Sequence, residues 1–250
     1  MNETERPNPS RGLFETLLVA NGAPVELDAH LQRLARSAEE LFGAELPGDL
    51  AAAAEGACEG IEIGRLRIEI EPDGEGGFER RLLAAPIDPA FSFPDRAHGE
   101  LLRSVDAGAW SGAHKWTDRD WLERTEARLG EEIPLLVDAE GNVLEAGRAN
   151  VFAVLNGALV TPPADGRILP GTARAATLAL AANLDIEAVE RPLPLAELRD
   201  ADEVFLTSSV RGLRPARRLD GTDLPARTHL TERLATALQA RWLSAPSTQP

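Results

Sequence analysis

Residues 144–181 read LEAGRANVFAVLNGALVTPPADGRILPGTARAATLALA. Two short apolar runs, 143–146 and 149–155, read as strands, and Glu145 interrupts the first of them. Asn156-Gly157 then turns the chain, because both residues tolerate positive φ. Further on the period changes. Gly171 opens a run from Thr172 to Asn183 that reads as a helix.

The same mixture appears on either side. Toward the N-terminus, 13–19 (LFETLLV) reads as a strand and Asn21-Gly22 as a hairpin turn. Asp28 can cap a helix to Phe42, with the stripe Leu31, Leu34, Ala38 and Leu41, and Gly43 can stop it. An alanine-rich helix follows at 49–59. Residues 65–71 (RLRIEIE) alternate as a half-buried strand, Asp73-Gly74 turns, and 78–84 returns. A proline-bearing stretch at 86–99 reads as a linker. Beyond it come a strand at 101–105, a helix from Asp118 to Leu129, and a strand at 133–138 with a turn at Glu140-Gly141-Asn142. A strand at 203–207 ends in Thr207-Ser208-Ser209, a last helix spans 226–242, and the tail SAPSTQP is expected to be loose. Strands and helices mix without strict alternation, which predicts an α+β (mixed α/β) fold. Two lobes are expected, an N-terminal one over 1–106 and a C-terminal one over 107–250.

Composition removes several function classes. The net charge of −15 disfavours nucleic acid and anionic membranes, which are polyanions. One cysteine, Cys58, excludes an internal disulfide and points to a reducing compartment. The four histidines show no metal spacing, so no metal site is expected. The opening MNETERPNPS has no apolar signal core and no later stretch could span a bilayer, so a cytoplasmic location is expected. Tyrosine is absent, which excludes any step needing a phenol from this chain.

Of the 26 Lys+Arg residues, only Lys115 is lysine. Arginine carries charge and ion pairs equally well, but its guanidinium stays protonated, whereas a desolvated lysine amine can attack a carbonyl. The plain alternative is a lysine left over by arginine bias. Other features look like anion sites. Gly171 precedes a helix whose first N–H groups can bind phosphate, although most helix starts bind nothing. Thr207-Ser208-Ser209 offers hydroxyls at a strand end. Glu145, between apolar strands, needs a cationic or N–H partner, either Arg148 or a protonated ring nitrogen of a cofactor. Arg33, beside the helix stripe, reads as a surface arginine whose stem covers the core edge, and His30 has no assigned role. Gly74-Glu75-Gly76-Gly77 is a hairpin tip, and Gly108-Ala109-Trp110-Ser111-Gly112 has the wrong spacing for a nucleophile elbow.

Taken in order, GLFETLL (12–18), LDAHLQRLARS (27–37), HKWTDR (114–119), LEAGRANVFAV (144–154), ILPGTARAATLALA (168–181) and EVFLTSSVRGLRPARRLDG (203–221) resemble the class IV (fold type IV) pyridoxal-phosphate enzymes. The resemblance implies a two-lobed fold like that of D-amino-acid aminotransferase, with a small N-terminal and a larger C-terminal lobe. It implies a homodimer, pyridoxal 5'-phosphate as cofactor and a small amino compound as substrate. Lys115 looks like the Schiff-base lysine and Glu145 like the partner of the pyridine nitrogen. Arg33, Gly171, Thr172, Ala173, Ser208 and Ser209 look like the phosphate site. Many relatives have threonine where Ala173 stands, so backbone contact is expected there. The missing tyrosine and the Lys115-Trp116-Thr117-Asp118-Arg119 pattern look like 4-amino-4-deoxychorismate lyase, which forms 4-aminobenzoate and pyruvate. A D-amino-acid or branched-chain aminotransferase is the alternative, and a non-catalytic binding protein keeping the fold is another. Arg103, Arg119 and Arg211 are candidates for reading a substrate carboxylate, unranked by sequence.

Overall fold

The computed structural model describes residues 7–96, 99–108, 110 and 112–244. His98, Ser111 and the tail beyond Ser244 lie outside the described residues. The chain divides into two compact units. Of the described residues, the N-terminal unit holds 7–93, 114–119 and 240–244, and the C-terminal unit holds the rest.

In the N-terminal unit, β1 (Leu13–Ala20) turns through Asn21 and Gly22, at φ 53° and 80°, into β2 (Ala23–Pro24). Positive φ at both turn residues is what Asn-Gly provides. Next come α1 (Leu27–Phe42), α2 (Leu50–Gly56) and the long hairpin β3 (Ile63–Pro72) and β4 (Phe78–Pro86). A single helical turn, α3 (Pro89–Ser92), occupies part of the expected linker. The sheet runs β2-β1-β3-β4, antiparallel throughout. The alternation of RLRIEIE is realised directly. Leu66, Ile68 and Ile70 are fully buried in a cluster with Leu13, Leu17 and Leu34, each such side chain contributing about 1.5–3 kcal/mol.

Helix α1 begins at Leu27, so Asp28 sits in its first turn, where its charge suits the helix dipole, and is not the cap. Gly43 ends it in the left-handed region, with its N–H donating to the Glu39 carbonyl. The buried stripe is Leu27, His30, Arg33, Leu34, Ser37 and Ala38. It is rotated from the apolar stripe read in the sequence and takes in three polar residues, for a reason given below.

The C-terminal unit contains β5 (Glu100–Asp106), α4 (Asp120–Leu129), β6 (Ile133–Val137), β7 (Asn142–Ala146), β8 (Asn150–Leu155) and β9 (Ala158–Thr161). It continues with α5 (Thr172–Asn183), β10 (Ala188–Glu190), β11 (Leu193–Pro194), α6 (Leu195–Arg199), β12 (Glu203–Ser208), β13 (Gly212–Leu219), β14 (Thr222–Asp223) and α7 (His229–Leu243), whose last residues fall in the other unit. The sheet order is β10-β9-β8-β12-β13-β5-β6-β7-β11, with β14 on β13. Strands β7 and β8 are joined by a tight turn and meet at Ala146–Ala149, yet four strands separate them along that order, so the sheet curls on itself. Strand β5 lies between β13 and β6, parallel to both. That pairing draws residues 100–106 into the C-terminal unit. Strand β13 went unread in the sequence because Pro215 and its arginines hide the pattern. In the fold it is central, and the stacked rings of Phe152 and Phe205 lie in the neighbouring strands at 5.1 Å.

Gly12 precedes β1 at φ 69°, ψ −157°, a region open essentially to glycine alone. A Cβ there would lie 1.8 Å from the Ile70 carbonyl oxygen. Gly12→Ala is expected to cost about 3 kcal/mol in urea unfolding. Gly48→Ala, with nothing within 4 Å of its Cβ, should be nearly neutral. Equal midpoints for the two variants would refute the close approach.

Candidate active site

Lys115 lies in the N-terminal unit, in a short segment zipped to β1. The Phe14 N–H donates to the Lys115 carbonyl at 3.0 Å, the Thr117 N–H donates to Gly12 at 3.1 Å, and Leu13 and Trp116 form an antiparallel bridge. The helix expected from Asp118 therefore starts only at Asp120. The Lys115 Nζ stands 5.0 Å from the centre of the Phe14 ring, with Arg67 at 3.9 Å and Arg119 at 4.8 Å from the same ring. Arg67 is also bonded to Glu69 on its own strand. Three cationic groups thus stand close to the Phe14 ring, within reach of its π-system.

Behind it, on the α1 side, Glu15 is buried at 1% exposure. Arg33 grips it with two hydrogen bonds, Nε to Oε1 at 2.7 Å and Nη2 to Oε2 at 2.6 Å. His30 Nδ1 lies 2.8 Å from Oε2. Burial alone would push the Glu15 carboxyl up. The Arg33 charge and the His30 and Arg33 hydrogen bonds outweigh it and hold the carboxyl well below the usual carboxylate range. Burial keeps the His30 imidazole below its ordinary value, so it is neutral and donates Nδ1–H to Glu15. Arg33 is thus not the surface arginine that its position in the sequence suggests; it is 5% exposed. His30 and Arg33 on α1 are buried because a buried carboxylate on β1 requires partners.

In the C-terminal unit, Glu145 on β7 is 5% exposed. Trp110 Nε1 donates to its Oε1 at 2.9 Å, and the Leu169 N–H donates to Oε2 at 3.1 Å. Asn150 Nδ2 is 3.4 Å from Oε2 and donates to the Leu169 carbonyl at 2.9 Å. Arg148, the alternative partner, turns away and pairs with Glu126 at 2.7 Å. A carboxylate held by neutral donors suits a protonated heterocyclic nitrogen. Asn150 also links Glu145 to the start of α5. A Cβ on Gly171 would lie 2.0 Å from Asn150 Oδ1, so a side chain there would displace the Asn150 amide. Gly171 contributes no side chain to cap α5, and Thr172 and Ala173 are buried in its first turn. Ser208 ends β12, and its Oγ accepts the Arg211 N–H at 3.3 Å; Ser209 is half-buried next to it.

The three unranked arginines now differ. Arg103 is held by two hydrogen bonds to Glu132, and Arg211 pairs with Glu100 at 3.2 Å, as does Arg214. Arg119 stands beside the ring that Lys115 faces. Sequence reading missed Glu15, Trp110 and Asn150. A charged residue inside LFETLLV was a usable signal for Glu15, since a buried strand rarely spends a position on an unpaired carboxylate. Trp110, in a loop, carried no signal. Among the described residues no group of three His, Cys, Asp or Glu could hold a metal ion, and no helix is long and apolar enough to cross a membrane.

Glu15→Gln should strand the Arg33 guanidinium in the core and cost about 3–5 kcal/mol in urea unfolding at pH 7. A carboxyl with a depressed folded pKa adds stability above its unfolded value near 4.3, and this is lost as pH falls through the folded one. The variant should therefore show a flatter acid limb of stability below about pH 4.3. An unchanged limb would remove Glu15 as its source.

The family model for amino-transferase class IV matches residues 12–219. A Thermotoga maritima protein named probable branched-chain-amino-acid aminotransferase is 32% identical over 221 residues, 83% of this chain and 77% of that protein. A Synechocystis protein of the same name is 38% identical over 120 residues, 48% of this chain; the match spans only 39% of that protein's length. A hypothetical aminotransferase from Mycobacterium tuberculosis, solved in a PLP-bound form, superposes with a TM-score of 0.80 at 26% identity, covering 98% of this chain and 95% of that one. From the start of β1 to the last residue of β13, and through Lys115, Glu145 and the head of α5, the chain belongs to the class IV aminotransferase family of pyridoxal-phosphate-dependent enzymes.

Proposed function

We propose that this chain holds pyridoxal phosphate and transfers amino groups between branched-chain amino acids and a keto acid. The observation that carries this reading is the alignment with the Thermotoga protein, which runs over most of both chains. The donor set fits the cofactor. Glu145 presents an acceptor already held by Trp110, Leu169 and Asn150, as a ring N–H requires. Gly171 gives α5 no side-chain cap, and the phosphate role proposed for Gly171, Thr172, Ala173, Arg33, Ser208 and Ser209 rests on the family resemblance.

Bound pyridoxal phosphate supplies an aldehyde and an electron-accepting ring. Lys115 would hold the cofactor through its amine and would be the group that takes the substrate Cα proton. Glu145 would face the ring nitrogen and accept its hydrogen bond. Arg119 reads the substrate carboxylate beside Phe14.

The sequence alone favoured a lyase, partly on Asp118-Arg119. In the fold Asp118 accepts from the Asn8 N–H and from Arg11 Nη1, at 2.9 and 3.0 Å. That ties the lysine segment to the start of the unit, a structural task that says nothing about elimination. The relatives' names support the aminotransferase ahead of the lyase.

Purified protein given pyridoxal phosphate should turn yellow, and borohydride should fix the cofactor mass on the only lysine-bearing peptide. Leucine, isoleucine or valine with 2-oxoglutarate should yield glutamate. Pyruvate released from 4-amino-4-deoxychorismate, with no turnover that depends on a keto acid, would hand the assignment to the lyase. A protein that ignores the cofactor would leave only a binding role. Arg119→Leu should raise KM roughly ten- to hundredfold with kcat little changed, matching about 1.5–3 kcal/mol for a charged hydrogen bond. An unaltered KM would free Arg119 from this role.

A further inference from the structure

Lys115 sits in an extended segment whose neighbours point the other way. In extended chain, successive side chains alternate between faces. His114 and Trp116 face α1 and the core of the N-terminal unit. His114 Nδ1 lies 3.0 Å from the Ser37 Oγ on α1, and its Nε2 is 3.9 Å from Glu40 one turn further on. Trp116 packs against the cluster of Leu13, Leu17 and Leu34, and its ring meets the His114 ring edge-on at 5.9 Å. Lys115, between them, faces the opposite side, with Phe14 and Arg67. Among the described residues, the Phe14 and Thr117 N–H bonds and the Leu13–Trp116 bridge form a short ladder between this segment and the start of β1. So short a ladder frays unless side chains hold its ends.

We infer that the His114–Ser37 contact is a latch that positions Lys115, fixing the lysine from the residue before it while Trp116 fixes it from the residue after. His114 is a positioning residue. It does not touch reacting atoms; it sets where the Lys115 backbone lies and hence where Nζ can reach. Burial holds the His114 imidazole below its ordinary value despite Glu40, so it stays neutral at pH 7 and adds no charge next to the amine. Ser37 is buried at 4% exposure on the polar stripe of α1, the stripe that also carries Arg33. The helix thereby sets both the carboxylate clamp and the lysine.

The inference rests on the proposed role of Lys115, and its test separates the two. Apoprotein is mixed with pyridoxal phosphate, and covalent attachment is followed by the visible band and by borohydride trapping. One C=N bond forms between Nζ and the aldehyde carbon, and one water leaves. His114→Ala and Ser37→Ala should slow attachment roughly tenfold, less than the ~10²-fold expected of a 1 Å misplacement. His114→Asn and Ser37→Thr, which keep a polar partner, should recover most of the rate. Amide exchange is the independent readout. In the two alanine variants the Phe14 and Thr117 amides should exchange faster, while amides in β3 keep wild-type rates. Alanine variants with wild-type attachment and wild-type exchange would overturn the latch. If wild type itself fails to attach the cofactor, the role of Lys115 falls, and the exchange data alone decide whether His114 holds the segment. Should an alanine variant fail to fold, the asparagine and threonine variants carry the comparison, since a latch predicts near-normal exchange in both.

Discussion

Strand β1 commits both edges and both faces. Along one edge it pairs residue by residue with β3, from Leu13 opposite Ile70 to Ala20 opposite Ile63. Along the other, its C-terminal end takes β2 and its N-terminal end takes the segment bearing Lys115. One face supplies Leu13 and Leu17 to the core and Glu15 to Arg33 and His30. The other presents Phe14, around whose ring Lys115, Arg67 and Arg119 gather. A residue added or lost in this strand would exchange the two faces, sending Phe14 into the core and Glu15 to the cationic side.

Two buried carboxylates organise the two units, and they are held differently. Glu15 is matched by a full positive charge, so it stays ionised at a large desolvation cost that the bidentate pair offsets. Glu145 is held in its own unit by an indole N–H, a backbone N–H and a side-chain amide. Neutral donors orient a carboxylate without cancelling its charge. The first arrangement suits a structural anchor. The distinction lies in which residues surround each glutamate, not in the glutamates themselves.

Much of the fold was legible in advance. RLRIEIE, Asn21-Gly22, Gly43 and the Gly171–Asn183 run all behave as local physics dictates, because alternation, positive-φ turns and helix ends depend on neighbours in sequence. Strand β13 did not announce itself, since a strand with Pro215 and several arginines exists only because β12 and β5 flank it. The burial of His30, Arg33 and Ser37 was hidden for the same reason. Helical periodicity ranks residues by polarity, and polarity predicts exposure only where no buried partner waits.

By itself the chain showed that Lys115 is its single lysine, that Glu145 lay in an apolar setting, and that a glycine opened a helix at 171. These are matters of residue type and nearest neighbours. Only the tertiary structure decided which partners each would have: Glu126 and not Glu145 for Arg148, Trp110 for Glu145, Glu15 for Arg33, Ser37 for the histidine beside the lysine. Those pairings join residues 18 to 77 positions apart, or turn on the direction of a single side chain, and no local pattern encodes either.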